Sequence, residues 1–354
     1  MKKSLTAAAL ILALCLSLTA ALASGGSAGD PLVALSYLEG GFTQTLDDSI
    51  HTRLDAADQE VRDTVRRLDG SMGGNATLKE QDVLSGSAGL AFTVLGGSVQ
   101  MAVSGGAVVD ATEGREAAPG LLACGRRYIV AEHASASFTV VSPAAVVSWE
   151  GPGVLTSSAR PDYYAIARAL RSLGLFRGSG SGVGEGFDLY QAPSRGEGLV
   201  MFLRLLGEEA DALACTDSHP FADVPAWLDR YVAWAYRQGY SNGVSGTMFD
   251  PDSPISAVEY VELLLRALGY SAAGVHDYST ALERALDCGA LTGGEYAALS
   301  EGPFRRAHVA YLSYYGLDMA VSGAQQTLAQ RMVEQGILTN GQLAAAKAET
   351  FRLT

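Results

Sequence analysis

The sequence predicts a multidomain α+β protein, in which a small antiparallel β-barrel or roll with an N-terminal helix is followed by an all-helical region of three repeats. Two observations support this class. Short β-rich runs separated by glycine turns fill residues 77–150, and helical periodicity with a recurring capping sequence fills the chain from residue 161. The chain has 354 residues, 48% of them hydrophobic, which is enough apolar material for packed cores.

The charge balance excludes one class of partner. Lys and Arg number 25 against 38 Asp and Glu, a formal net charge of -13. Nucleic-acid binding needs clustered Lys and Arg that displace counterions, so we expect no nucleic-acid partner.

The N-terminus has the pattern of an export signal. Lys2 and Lys3 precede an apolar run over residues 7–22, which ends in the small-x-small sequence Ala21-Leu22-Ala23. We expect residues 1–23 to be a cleaved signal peptide, because the run is short for a membrane span. The mature protein is therefore predicted to be secreted, with no permanent membrane span.

Residues 24–76 predict a flexible lead-in and one amphipathic helix. Apolar residues recur there at spacings of three, four and seven, and the positions between them are largely charged. These apolar positions are Leu46, Ile50, Leu54, Val61, Val65 and Leu68.

Residues 77–150 predict the β-rich domain, and its chemistry is sparse. Glu132-His133 and Asp82 are the weak candidates for catalysis, and no nucleophile–base pair or phosphate loop is present. Cys124, Cys215 and Cys288 lack Cys-x-x-Cys spacing, which favours buried free thiols, with one disulfide left open. We therefore expect no metal, no cofactor and no enzyme activity.

A linker over residues 151–160 precedes three versions of a helix–loop–helix unit, predicted at 161–207, 220–270 and 275–354, the last including a helical tail. The second helix of each unit follows a proline. In the first two units that helix opens with a capping box, Ser194 with Glu197 and Ser256 with Glu259. In the third unit the corresponding sequence begins at Pro303, and we expect the capping chemistry to be lost there.

The middle unit resembles the S-layer homology (SLH) domain. That family carries Phe-x-Asp-Val…Trp, a Gly…Phe-x-Pro loop and Ile-Thr-Arg-Ala-Glu at the start of a helix. The matching residues are Phe221-Ala222-Asp223-Val224, Trp227, Phe249-Asp250-Pro251 and Ile255-Ser256-Ala257-Val258-Glu259. The resemblance implies a three-repeat helical pseudo-trimer that attaches exported proteins to a secondary cell-wall polysaccharide, often an anionic, pyruvylated one.

The resemblance also implies which residues bind. The arginine of the family motif falls on Arg195 in the first unit and on Arg306 in the third, whereas Ala257 occupies that position in the middle unit. The family's Asp and Trp fall on Asp223 and Trp227. A guanidinium beside free amides at a helix N-terminus suits a carboxylate, and an indole can stack on a sugar ring. We expect Arg195 to work with Asp223 and Trp227 in a groove between repeats.

Two alternatives remain open from the sequence. The chain could be an SLH-anchored enzyme with the β-domain as catalyst, or a structural S-layer or interaction module whose glycan site has degenerated. Peptidoglycan and other surface proteins are alternative partners to the secondary polymer.

Overall fold

The computed structural model describes residues 49–50, 52–54, 74–180, 183–271 and 278–354. The chain divides into two compact units, residues 1–67 and residues 68–354. In the first unit the described residues are helical, and the side chains of Ile50 and Leu54 are exposed. The predicted signal peptide and the rest of the predicted amphipathic helix lie outside the described residues.

The described part of the second unit begins with eleven strands that pair antiparallel. They are β1 (Gly74–Lys79), β2 (Val83–Ser87), β3 (Ala91–Gly96), β4 (Val99–Ser104), β5 (Val108–Asp110), β6 (Arg115–Glu116), β7 (Gly120–Leu121), β8 (Arg127–Val130), β9 (Ser135–Val140), β10 (Ala144–Glu150) and β11 (Gly153–Thr156).

The strands form two sheets, in the orders β1-β10-β3-β8-β5-β6 and β11-β2-β9-β4-β7. Without the β5–β6 hairpin and β11, which extend the sheets at their edges, eight strands remain in the order of a jelly roll. The described strands thus form two sheets, whereas the barrel that the sequence also allowed would need one closed sheet.

Alternating side chains fill the space between the two sheets. Phe92 of β3 and Phe138 of β9 stack there with their ring centroids 4.2 Å apart, and both are buried. Leu84 and Met101 are buried beside them, while their sequence neighbours on β2 and β4 face outward. Burial on one face of each strand explains the period of two in the sequence.

Ten helices follow in the described residues. They are α1 (Tyr163–Ser172), α2 (Arg195–Leu205), α3 (Glu209–Ala214), α4 (Asp229–Arg237), α5 (Ala257–Ala267), α6 (Ala281–Asp287), α7 (Gly293–Ser300), α8 (Arg306–Gly316), α9 (Leu328–Glu334) and α10 (Asn340–Ala345).

Three of these helices, α2, α5 and α8, lie together at the centre. Helix α2 contacts both α5 and α8, and the hydroxyls of Tyr260 on α5 and Ser313 on α8 are 3.2 Å apart. The helices fall into three successive pairs, α1 with α2, α4 with α5, and α6 with α8. Each central helix also packs against the first helix of the next pair: α4 packs on α2, α6 on α5, and α1 on α8. The helical pairs therefore form a closed ring.

The helical region and the first sheet share a core. Val146 of β10 is buried in the same apolar cluster as the helices. The loop before α2 lies on this sheet so closely that a Cβ on Gly96 of β3 would come within 2.3 Å of the Tyr190 ring. Contact this close makes the β-roll and the helices one packed body over residues 74–354.

Candidate functional site

The N-termini of the central helices α2, α5 and α8, which we call their tips, are capped by local hydrogen bonds. At α2 the Ser194 hydroxyl accepts from the Glu197 amide at 3.2 Å, and the Glu197 carboxylate accepts from the Ser194 amide at 3.0 Å. At α5 the same reciprocal bonds join Ser256 and Glu259, at 3.4 Å and 2.8 Å. Both capping boxes satisfy amides that the helix itself leaves without a partner.

The tip of α8 keeps part of this chemistry, contrary to the expectation that it is lost. Nδ1 of His308 accepts from the backbone N–H of Arg305 at 3.1 Å, in the place that glutamate occupies at the other two tips. Burial lowers the pKa of His308 to about 4, with the nearby Arg305 as a second cause, so its imidazole stays neutral and can accept this bond. The sequence pattern did not predict this bond, because His308 stands where an acidic residue completes the usual capping box.

The first two amides of α2 are taken by a loop of the middle unit. The N–H of Arg195 donates to the carbonyl of Ser253 at 2.8 Å, and that of Gly196 donates to the carbonyl of Pro251 at 3.0 Å. The expectation of free amides at this tip is therefore wrong, because backbone carbonyls from the neighbouring unit occupy them.

The tip of α8 is closed in the same way. The N–H groups of Arg306 and Ala307 donate to the carbonyls of Gln191 and Leu189, at 2.8 Å and 3.0 Å. The loop that precedes α2 thus docks on α8 as the loop that precedes α5 docks on α2.

Arg306, a predicted glycan-binding residue, is buried at this interface. Its side chain donates to the carbonyls of Phe187 at 3.0 Å and Arg177 at 3.3 Å, and its guanidinium lies 5.7 Å from the centre of the Phe176 ring. Burial lowers its pKa from the ordinary value. With 6% of the residue exposed, Arg306 holds two units together and offers little surface to a ligand.

Arg195 occupies the corresponding position on α2 in different surroundings. Its Nη2 lies 2.5 Å from the Glu259 carboxylate of α5, and its Nε is buried without a hydrogen-bond partner. Burial raises the pKa of Glu259, but hydrogen bonds from Ser256 and Arg195 outweigh that effect, and the pKa lies below its ordinary value. The ion pair therefore forms with Glu259 ionised and joins the tips of α2 and α5.

Trp227 lies over the first turn of α2 and is 57% exposed. A Cβ on Gly196 would come within 3.5 Å of the indole Cη2 and 2.8 Å of the Leu228 side chain. The indole is thus seated on the helix tip that carries Arg195, with a large part of its surface open to solvent.

Asp223 is a positioning residue in this arrangement. Its carboxylate oxygens accept from the amides of Phe249 and Asp250, at 2.8 Å and 2.7 Å. Burial raises its pKa, but these backbone hydrogen bonds outweigh that effect and the pKa is lowered. Asp223 therefore fixes the loop whose carbonyls of Pro251 and Ser253 dock on α2.

Sequence reasoning missed two parts of this site. Glu259 was predicted only as a cap, although it also holds Arg195. Gly196 was not singled out, although the close approach of Leu228 depends on its lack of a side chain. The signal was available, since Gly196 and Gly198 stand in the first turn of a helix, where glycine is otherwise unfavourable.

The β-domain candidates take structural positions. Asp82 is buried, and its carboxylate accepts from the amide of Ser158 at 2.7 Å and of Lys79 at 3.0 Å. Glu132 and His133 are exposed, and His133 has a left-handed φ of 62° in a turn. Across the described residues no group of three His, Cys, Asp or Glu side chains could hold a metal ion.

Comparison with known proteins identifies the unit that contains Asp223 and Trp227. The family described as the S-layer homology domain matches residues 220–256. Residues 220–256 are therefore an SLH domain. The matched residues include Asp223, Trp227, the docking loop and the cap Ser256, whereas Arg195, Glu259 and Arg306 lie outside them.

A curated relative of this chain is a "Cell surface protein" of Thermoanaerobacter kivui, 32% identical over 94 residues. The alignment covers 25% of this chain and 12% of the relative, so the chain spans a small part of the relative's length.

Two solved structures of plant proteins also match parts of this chain. They are procruciferin, the 11S globulin of Brassica napus, at 11% identity and a TM-score of 0.17, and the coconut allergen cocosin, at 12% and 0.16. The matches cover 24% and 25% of this chain, and 22% and 29% of theirs. At these scores the likeness carries no argument about this chain.

Among the described helices, none has the length and apolar character needed to cross a membrane. The three described cysteines are free, with Cys215 buried and Cys124 and Cys288 exposed.

Proposed function

We propose that this chain is an exported, non-catalytic protein that its SLH region holds on the cell wall by non-covalent binding of a secondary cell-wall polymer. The SLH match at residues 220–256 and the name of the relative, "Cell surface protein", support a cell-surface role. The wall polymer, the export and the lack of catalysis are part of the proposal.

We infer that the anchor contains three repeats, although the family matches only the middle one. Phe187-Asp188 and Phe249-Asp250 stand the same distance before the capping serines of α2 and α5, and both aspartates are left-handed, with φ of 49° and 61°. Left-handed backbone is uncommon outside glycine, so its recurrence at matching positions favours a repeat. The closed ring of helical pairs supports a third, divergent copy that contains α6 and α8.

The observation that carries the proposed binding site is the exposed Trp227 indole above the tip that bears Arg195. A sugar ring can lie on the indole face, and a ketal carboxylate can reach the guanidinium, whose buried Nε has no partner. Because the tip amides are occupied, recognition rests on these two side chains. Glu259 must share the guanidinium with the ligand.

The net charge of -13 does not favour an anionic polymer, so attraction must be local. Charges further away than about 10 Å are screened at moderate salt. A single arginine at a helix tip can therefore select a carboxylate on a protein that is acidic overall.

Co-sedimentation of the full chain with purified cell walls tests this function. We expect binding to walls that retain their secondary polymers and loss of binding after the polymers are chemically stripped. Undiminished binding to stripped walls would assign the anchor to peptidoglycan and contradict the proposal. Failure to bind either wall would favour a lattice or interaction module.

Single substitutions test the site itself. Trp227→Ala should weaken wall binding roughly tenfold, which is the upper range for loss of one stacking contact. Arg195→Lys keeps the charge but loses the planar fork, and should also weaken binding. Tyr236→Ala is the matched control, since this exposed aromatic packs on Phe221, and its binding should equal that of the unaltered chain.

A further inference from the structure

The residues after α10 form an extended segment, 346–354, without helix or strand, which we call the strap. It runs back over the helical region, where its hydrogen bonds reach the N-cap residue Asp162 before α1 and residues of α7 and α8. Its polar contacts are specific, and its central one is an arginine inserted beside a buried carboxylate.

Arg352 is that arginine. Its Nε and Nη2 lie 2.8 Å and 3.2 Å from the two carboxylate oxygens of Glu295 on α7, which is 1% exposed. The Tyr311 hydroxyl of α8 donates to the same carboxylate at 2.9 Å, and the guanidinium stacks 4.8 Å from the centre of the Tyr315 ring. A bidentate pair with a carboxylate, together with stacking on one aromatic ring, is a recognition geometry for arginine.

The strap backbone is held on both sides of this arginine. The N–H of Leu353 donates to the Tyr311 hydroxyl at 2.9 Å, and its carbonyl accepts from the Thr292 hydroxyl at 2.6 Å. Further back, the N–H of Ala348 donates to the Tyr314 hydroxyl at 2.9 Å. Main-chain bonds of this kind are how extended peptides are bound in a groove.

The strap covers its groove only in part. Lys347, Glu349 and Phe351 are exposed, and Phe351 keeps 57% of its surface open. An open cleft of about 260 Å³ separates residues 345–349 from the face of α1 that carries Arg168 and Ser172. Ala346, Ala348 and Leu353 pack against the helical core, so polar bonds and these small apolar contacts hold the strap while Phe351 stays largely open.

From these contacts we propose that the groove formed by Glu295, Tyr311, Tyr314 and Tyr315 is a binding site for an extended, arginine-bearing peptide. The chain fills the site with its own residues 346–354, and the site can exchange this occupant for the same sequence added in trans. This site is separate from the proposed glycan site at Arg195 and Trp227.

Fluorescence anisotropy with a labelled peptide of residues 346–354, Ala-Lys-Ala-Glu-Thr-Phe-Arg-Leu-Thr, tests the proposal. The titrated proteins are the full chain and its Arg352→Ala variant, whose own strap is weakened. We expect the variant to bind the peptide at least about tenfold more tightly than the unaltered chain, because a tethered occupant competes at high effective concentration. A peptide with alanine in place of Arg352 should bind the variant at least about tenfold more weakly.

Two controls keep the result decisive. Arg115→Ala removes an arginine from an exposed pair in the β-roll and should leave peptide binding at the level of the unaltered chain. Glu295→Gln in addition to Arg352→Ala should abolish the preference for arginine. The proposal would be overturned if the Arg352→Ala variant bound no peptide or bound both peptides equally. It would also be overturned if that variant failed to fold, because the strap would then be an integral part of the core.

Hydrogen exchange on the unaltered chain gives an independent measurement. If the strap opens locally, the amides of Ala348 and Leu353 should exchange at least about a hundredfold faster than that of Leu312 in α8. Exchange of all three amides only through global unfolding would overturn the proposal.

Discussion

Arg195 and Arg306 show at the residue scale how one sequence position acquires two roles. Each is the first residue of its helix, and each donates its N–H to a carbonyl of a docked loop. Beyond the backbone they differ, because Arg306 meets the carbonyl of Phe187, 119 residues away, whereas Arg195 meets the carboxylate of Glu259, 64 residues away. Partners that distant along the chain cannot be identified from a local motif, so both residues were predicted to bind glycan.

His308 makes a prediction about pH at the same scale. Its pKa is lowered to about 4 in the folded state, against an ordinary value of 6.5. As the pH falls through 6.5 the unfolded chain takes up a proton that the folded chain refuses, so His308 lowers stability progressively down to pH 4. The lost stability amounts to at most about 3 kcal/mol.

Urea unfolding between pH 7.5 and pH 4.5 measures this effect. His308→Gln keeps a side-chain acceptor for the Arg305 amide but cannot titrate, so its stability should fall less steeply with pH than that of the unaltered chain. Equal pH slopes for the two proteins would contradict the assignment.

At the element scale, features set by neighbouring residues were the most predictable. The capping boxes of α2 and α5 follow from hydrogen bonds across three residues, and their sequence patterns predicted where both helices begin. The docking of the loop 249–253 on α2 was not predictable, because it depends on contacts between units. Asp223 was accordingly predicted as a ligand contact, whereas its carboxylate fixes this loop.

The whole loop between α4 and α5 ends in this docked segment, and two of its glycines give a paired test of the element. Gly243 has a left-handed φ of 73°, and a Cβ there would come within 2.4 Å of the Phe221 ring and 2.5 Å of the Met248 carbonyl oxygen. Gly243→Ala should cost about 2 kcal/mol or more, because strained backbone and a clash with main chain add. Gly246 lies in the same loop with nothing near its Cβ position, so Gly246→Ala should change stability by about 0.5 kcal/mol or less.

Chemical denaturation of both alanine variants measures these two losses of stability. A similar loss of stability in the two would mean that the loop does not constrain Gly243. If Gly243→Ala also weakens wall binding while Gly246→Ala does not, the docked loop supports the site at Trp227.

At the whole-molecule scale, the two halves that the sequence distinguishes by their periodicity share one packed body. The period of two and the glycine turns predicted strands, and the class α+β is confirmed. The jelly-roll order could not be predicted from the sequence, because it pairs strands far apart along the chain, such as β1 with β10. The contact of Tyr190 with Gly96 was equally hidden, since a lone glycine at the end of a strand predicts only a turn.

This shared core predicts a single unfolding transition for residues 74–354. Trp149 is buried in the β-roll, so its fluorescence reports mainly on the sheets, while far-ultraviolet circular dichroism reports mainly on the helices. Trp227→Phe with Trp234→Phe removes the helical tryptophans, and in that background the two signals should change at the same urea concentration.

Gly96→Ala should lower stability by about 1–3 kcal/mol, because the added methyl group must displace the Tyr190 ring. Gly293→Ala, with nothing near its Cβ position, is the control. Separate transitions before any change at Gly96 would show that the sheets and the helices fold independently, and the contact at Tyr190 would then not couple them.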